Sequence, residues 1–146
     1  MTRTSLRPAL AVVACAGVFA FATPSMADMM KMKADLKASN EVPANNSAGK
    51  GAVDVTYDSA GKKLSWKGTY SGLSGPATAA HFHTGEAGKN GGVAVPIFQG
   101  PSAKSPFEGS ATLTDAQAAD LMAGKLYVNV HTEKNKGGEI RGQVTK

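Results

Sequence analysis

The sequence predicts an all-β fold, an antiparallel sandwich or barrel with one short helix, and three observations support this. About eight short segments alternate between apolar and polar residues, as half-buried strands do. Turn signals rich in Gly, Pro, Asn and Ser separate these segments at close intervals. One segment carries helix-capping signals. The strands are expected at 31–39, 52–57, 63–70, 77–83, 93–98, 107–113, 126–132 and 139–144.

The helix is expected at residues 115–123. Thr114 can cap the amide of Gln117, whose side chain can reach back, which makes a capping box. Asp115 suits the positive end of the helix dipole. Gly124 suits the left-handed position that follows a helix. The signals at both ends therefore predict a short helix just before the strand at 126–132.

The N-terminus has the pattern of a secretory signal. Arg3 and Arg7 precede an apolar run at 9–22, and Ser25 and Ala27 are the small residues of a cleavage site. The run is too short to predict a transmembrane segment. Lipid attachment at Cys15 is the alternative, but it leaves a short apolar core. We expect an exported protein, periplasmic or secreted.

The domain boundaries follow from this interpretation. We expect a cleaved signal peptide at 1–27, a flexible Met-rich leader at 28–35 and one domain at 36–146. The single cysteine leaves with the signal, so no disulfide is expected. The net charge of +5 comes from lysines spread along the chain, without an aromatic and basic patch, which argues against nucleic acid as a partner.

Three histidines are the candidate metal ligands. His81 and His83 share one face of their strand, with Cα atoms about 6.6 Å apart, while Phe82 between them faces the core. His131 alternates with inward-facing valines on the strand at 126–132, so it also faces away from the core. Three imidazoles on strands suit Cu²⁺ or Zn²⁺ and leave a coordination position open. Exposed histidines without a metal are the alternative.

Four further residues are candidates for supporting roles. Tyr127 and Asn129 share the face of His131 and can hold the site by hydrogen bonds. Glu139 and Arg141 lie two apart on the last strand, where they can flank a small anion or form a surface ion pair.

Four ordered sequence blocks resemble the CHRD domain, the module named after chordin and also found singly in exported bacterial proteins. The blocks are 36–43 (LKASNEVP), 70–83 (YSGLSGPATAAHFH), 111–124 (ATLTDAQAADLMAG) and 126–142 (LYVNVHTEKNKGGEIRG). The resemblance implies a Greek-key sandwich or barrel, immunoglobulin-like or superoxide-dismutase-like. It implies no activity, because the biochemistry of the domain is poorly defined.

The order of the histidines also looks like that of the copper ligands in Cu,Zn superoxide dismutase. On that analogy His81, His83 and His131 hold copper and Arg141 attracts a small anion. The chain lacks a fourth histidine, a separate zinc cluster and a disulfide pair. We therefore expect a metal-binding module, copper before zinc, and leave superoxide-dismutase-like redox activity open. The alternative function is a non-catalytic interaction or structural module without metal, whose protein partner the sequence does not identify.

Overall fold

The computed structural model describes residues 28–100 and 104–146, and this part of the chain forms eight strands, one α-helix and one short 3₁₀ helix. The predicted signal peptide at 1–27 lies outside the described residues. The elements are β1 (Met29–Lys37), the 3₁₀ helix (Ala38–Asn40), β2 (Lys50–Asp58), β3 (Lys63–Ser71), β4 (Ala77–Thr84), β5 (Val93–Gln99), β6 (Phe107–Thr112), α1 (Asp115–Met122), β7 (Leu126–Thr132) and β8 (Ile140–Gln143).

The eight strands form one antiparallel sheet in the order β5-β4-β7-β8-β1-β2-β3-β6. The last strand of the chain therefore lies beside the first. The two edge strands also approach each other, since the rings of Phe98 on β5 and Phe107 on β6 pack edge to face at 5.3 Å. The fold is thus a nearly closed barrel-like sheet, which confirms the predicted all-β antiparallel class.

The apolar core lies inside this curved sheet. Side chains alternate along each strand, so every second residue points inward. The inward set on β4, β7 and β8 includes Phe82, Val128, Val130 and Ile140, all fully buried. Burial of this apolar surface is the main force that holds the sheet closed.

The helix α1 closes one side of the core. Thr114 accepts the Gln117 amide and Gln117 accepts the Thr114 amide, so the predicted capping box is present. Leu121 is fully buried and anchors the helix. The helix ends at Met122, one residue earlier than expected, with Ala123 as its C-cap. No helix in the described ranges is long and apolar enough to cross a membrane.

Two expectations need correction. Residues 28–35 are not a flexible leader: β1 begins at Met29 and pairs with β2 along its whole length, with Met32 buried in the core. The strand expected at 31–39 therefore begins two residues earlier, at Met29, and its lysines occupy exposed alternate positions. The non-core side of β7 is also not an outer surface, since Tyr127 is only 2% exposed and Asn129 only 3%. Loops cover that face, and strand alternation alone cannot reveal such a cover.

Candidate metal centre

The three histidines lie together on the outer face of β4 and β7. Asn129 on β7 pairs directly with His81 on β4, and His131 is two residues beyond Asn129. Residues two apart on a strand share a face, so His83 lies on this face as well. Phe82 points the other way and is 0% exposed. The alternation of the sequence thus predicts the side on which each histidine lies.

The ring nitrogens are close enough to share one ion. One candidate ligand nitrogen from each histidine lies within 4.8 Å of the others. His81 Nδ1 lies 3.1 Å from His131 Nε2, and the rings of His83 and His131 have centroids 6.0 Å apart. Two nitrogen ligands of a tetrahedral zinc ion, with bonds of 2.0–2.1 Å, are about 3.3 Å apart. Side-chain rotations that bring the farthest pair about 1.5 Å closer would meet this requirement.

Backbone carbonyls fix the tautomers of two of the rings. His83 Nδ1 lies 3.0 Å from the Gly91 carbonyl, and His131 Nδ1 lies 2.8 Å from the Lys136 carbonyl. A carbonyl oxygen can only accept, so each Nδ1 carries the hydrogen and donates it. In the neutral rings Nε2 then has a free lone pair. His83 Nε2 is buried and has no hydrogen-bond partner among the described residues.

His81 can supply the third nitrogen ligand by a change of tautomer, with no proton lost from the ring. Because His131 Nε2 is an acceptor in the neutral ring, His81 Nδ1 donates the hydrogen of their 3.1 Å contact. Moving that hydrogen to Nε2 of His81 produces the other neutral tautomer and frees a lone pair on Nδ1. A metal ion can therefore take the place of the hydrogen that joins these two rings.

The surroundings of His81 and His131 favour the neutral forms of these two rings. Burial lowers the pKa of His81, and the neighbouring His131 and His83 rings lower it further. Burial also lowers the pKa of His131, against the hydrogen bond to the Lys136 carbonyl, which raises it. Metal ions bind the neutral imidazole, so these shifts favour the form of both candidate ligands that can bind a metal.

Two glycine loops cover the histidines: the first glycine loop (residues 85–92) and the second glycine loop (residues 133–139). At Gly91 a Cβ atom would lie 1.5 Å from the Thr84 carbonyl oxygen, so only glycine fits there. Gly138 has a φ of +130°, and its Cβ would lie 2.4 Å from Asn129 Nδ2. These two glycines let the loops approach closely enough to contact the rings.

A stack of three side chains supports His83. The Tyr127 ring lies parallel to His83, with an interplanar angle of 9° and centroids 5.0 Å apart. The Arg141 guanidinium covers Tyr127, with Cζ 3.4 Å from the ring centroid, which is a cation–π contact. The Tyr127 hydroxyl also accepts the Gly91 amide at 3.1 Å. Tyr127 therefore contacts both the candidate ligand His83 and the first glycine loop, whose Gly91 carbonyl accepts from His83.

The Arg141 guanidinium contacts Tyr127 and the first glycine loop and is almost completely covered by them. Arg141 is 2% exposed and donates to the carbonyls of Glu86 and Lys89 and to the Asn90 side chain. These contacts fix the first glycine loop over the stack.

Asn129 and Glu41 extend the polar region away from the histidines. Asn129 Nδ2 donates to the Gly137 carbonyl at 3.3 Å, which fixes the second glycine loop. Glu41 is 7% exposed, and its Oε1, like Asn129 Oδ1, has no hydrogen-bond partner among the described residues. Burial raises the pKa of Glu41 to about 7, although Arg141 and the Asn129 side chain lower it.

Glu139 belongs to a separate cluster and does not flank Arg141. Its carboxylate accepts from the hydroxyls of Ser47, Ser74 and Thr132 and from the Asn135 amide. Burial opposes ionisation, but these hydrogen bonds outweigh it and lower the pKa of Glu139 to about 2. Glu139 therefore fixes the ends of the second glycine loop.

Sequence reasoning missed Glu41. It lies in the loop that follows the 3₁₀ helix, where a charged residue between Asn and Val looks like an ordinary exposed loop residue. Its burial depends on the first glycine loop, where Asn90 Nδ2 donates to the Val42 carbonyl at 2.7 Å. No local pattern in the sequence encodes that contact.

We call this outer-face group the polar layer; its members are buried except for the half-buried His81 and His131. It comprises Glu41, His81, His83, Tyr127, Asn129, His131 and Arg141. The layer holds three candidate nitrogen ligands, one cation and one carboxyl group. A search of curated proteins and a search of solved structures each gave no match. The family model described as the CHRD domain matches residues 32–144, which include every member of the layer. The chain therefore belongs to the CHRD domain family.

Proposed function

We propose that this protein is an exported metal-binding module in which His81, His83 and His131 hold one ion, copper in preference to zinc. The buried Nε2 of His83 carries this proposal, because a lone pair without a partner inside a protein is costly unless a ligand takes it. The neighbouring nitrogens of His81 and His131 supply the rest of the ligand set.

The ligand chemistry favours copper and zinc over other ions. Imidazole suits both, whereas calcium and magnesium prefer oxygen ligands. Divalent copper binds a given set of nitrogen ligands more tightly than divalent zinc. We therefore expect copper to displace zinc when both are supplied.

The proposal concerns binding and does not extend to turnover of superoxide. On the dismutase analogy Arg141 would attract the anion, but its guanidinium is buried in contact with Tyr127 and the first glycine loop. Outside the cytoplasm, where the N-terminal signal pattern would direct the chain, such a site would store, carry or buffer copper.

Metal content and affinity test the proposal. The purified protein is stripped with a chelator, loaded with copper or zinc, dialysed and measured by elemental analysis and titration calorimetry. We expect about one ion per chain and a higher melting temperature, since an ion that binds the native state stabilises it. His81→Ala, His83→Ala and His131→Ala should each lower the affinity at least about a hundredfold.

A surface variant supplies the control. Glu133→Gln removes an exposed carboxylate two residues from His131 and should leave the affinity unchanged. Because the chain contains three histidines, imidazole NMR signals can be assigned completely, and all three should shift on loading zinc. A protein that takes up no metal, or binds it equally well without these histidines, contradicts the proposal and leaves a metal-free interaction module.

A further inference from the structure

The charges of the polar layer are unbalanced once a divalent ion is bound. All three candidate ligands are neutral imidazoles, so the ion would keep its full charge of +2. Arg141 adds a buried positive charge, one ring away from His83. Buried charges of one sign repel strongly where water is excluded, so the layer needs a negative group.

Two buried carboxyl groups are available on the described chain, and one of them already has partners. Glu139 is held in its own cluster by hydroxyl and amide donors. Glu41 lies in the layer, acts electrostatically on Arg141 and leaves Oε1 unpartnered. The geometry therefore favours Glu41 as the compensating charge.

Asn129 connects Glu41 to the histidines. It pairs directly with His81 across β4 and β7, and its side chain also interacts with Glu41. A Cβ atom on Gly138 would lie 2.4 Å from Asn129 Nδ2 and 2.5 Å from Glu41 Oε1, which places these two atoms within about 5 Å of each other.

Glu41 can also gain or lose its charge. It lines a surface cleft of about 360 Å³ together with Arg141, Asn40 and Gln143, so water can reach its neighbourhood. Its pKa of about 7 means that a small electrostatic change shifts it between the neutral and the charged form.

We propose that Glu41 determines which ion charge the histidine site accepts: as a carboxylate it supports a divalent ion, and without that charge the site favours a monovalent one. This inference rests on the proposed metal site and assigns Glu41 a specificity role rather than a ligand role. The attraction scales with the charge of the ion, so a divalent ion gains about twice the free energy that a monovalent ion gains from the same carboxylate.

The test compares Zn²⁺ with Ag⁺, two ions that imidazole binds and that keep their oxidation state in air. Affinities are measured at pH 8, where Glu41 is charged, for the wild-type chain, Glu41→Gln and Glu86→Gln. Glu86 is the matched control, since its exposed carboxylate lies in the first glycine loop and pairs with Lys125. We expect Glu41→Gln to weaken Zn²⁺ binding about tenfold more than Ag⁺ binding, and Glu86→Gln to change neither.

If Glu41→Gln folds poorly, a negative charge introduced at Asn129 tests the same idea. Asn129→Asp places a carboxylate directly opposite His81 and should raise the affinity for Zn²⁺ relative to that for Ag⁺, alone or combined with Glu41→Gln. Equal losses for both ions, or no loss for either, would show that Glu41 has only a structural role and would overturn the inference. Failure of the wild-type chain to bind either ion would instead refute the proposed metal site itself, and this inference with it.

Discussion

The two faces of strands β4, β7 and β8 are both covered by other parts of the protein, the outer one only partly, and they are built in opposite ways. The inner face carries Phe82, Val128, Val130 and Ile140, which contact one another and the rest of the core. The outer face carries the polar layer, which loops cover. The inner face carries one buried polar side chain, Thr132, whose hydroxyl donates to Glu139. Elsewhere in the core, Trp66 Nε1 has no partner among the described residues. The outer face keeps three buried acceptors unpartnered, on Glu41, His83 and Asn129.

This difference separates stability from function. Apolar burial stabilises a protein by about 25 cal/mol per Å², whereas a buried polar atom without a partner costs about 1–3 kcal/mol. The inner face therefore holds the barrel together. The outer face retains groups that a ligand could satisfy, as functional sites often do.

Truncation of the inner face should have the largest effect on stability. Phe82→Ala removes a fully buried ring that packs against Trp66 at 5.2 Å, and should lower the free energy of unfolding by about 4 kcal/mol. His83→Ala, one residue away on the outer face, should cost less than half as much while it abolishes tight metal binding. Urea unfolding measures the free energy of unfolding of both variants. Equal losses of stability would mean that the two faces do not differ in this way.

The next largest effect should come from the glycine that closes the first loop. Gly91→Ala places a methyl group against the Thr84 carbonyl, so the loop must move away from His83 and Tyr127. We expect a loss of about 3 kcal/mol in stability and a fall of about tenfold to a hundredfold in metal affinity. Gly92→Ala is the control, because a Cβ there meets no atom within 4 Å. Similar results for both variants would show that loop closure is not what holds His83.

The two buried glutamates should give stability opposite pH dependences. The pKa of Glu139 is lowered from 4.5 to about 2, so its contribution is present above pH 4.5 and is lost as the pH falls towards 2. The pKa of Glu41 is raised from 4.5 to about 7, so the folded state binds its proton more tightly and loses stability as the pH rises from 4.5 to 7.

Glutamine variants separate these two effects. Glu139→Gln should lower stability by about 2 kcal/mol at pH 7 and converge with the wild type near pH 2. Glu41→Gln should remove the decline between pH 4.5 and 7. Unfolding curves of the metal-free proteins across this pH range measure both slopes, and slopes of the same sign would contradict the assignment.

The smallest effect should come from Tyr127→Phe, which keeps the stacked ring and removes the hydroxyl. The Gly91 amide then loses its acceptor, at a cost of about 1 kcal/mol. Metal affinity should fall less than in Gly91→Ala, because the ring still covers His83. If Tyr127→Phe weakens metal binding more than Gly91→Ala does, the hydroxyl has a direct role that the stack does not explain.

The sequence predicts those features that depend on neighbouring residues. Alternation placed Phe82 inside and His81 and His83 outside, and local capping signals placed the helix at Thr114. Features that depend on distant segments were missed. The burial of Asn129 and Glu41 requires loops from elsewhere in the chain. The strand expected at 31–39 begins at Met29 instead, and only its pairing with β2 shows this.

Main-chain atoms, rather than side chains, orient two of the candidate ligands. The carbonyl groups at positions 91 and 136 determine which nitrogen of His83 and His131 faces inward, and every amino acid has such a group. Replacement of the lysines in these turns should therefore be well tolerated, while insertions or deletions should not be. Engineers could vary these lysines to retune solubility or charge, provided that Gly91, Gly138 and the number of residues in each turn stay the same.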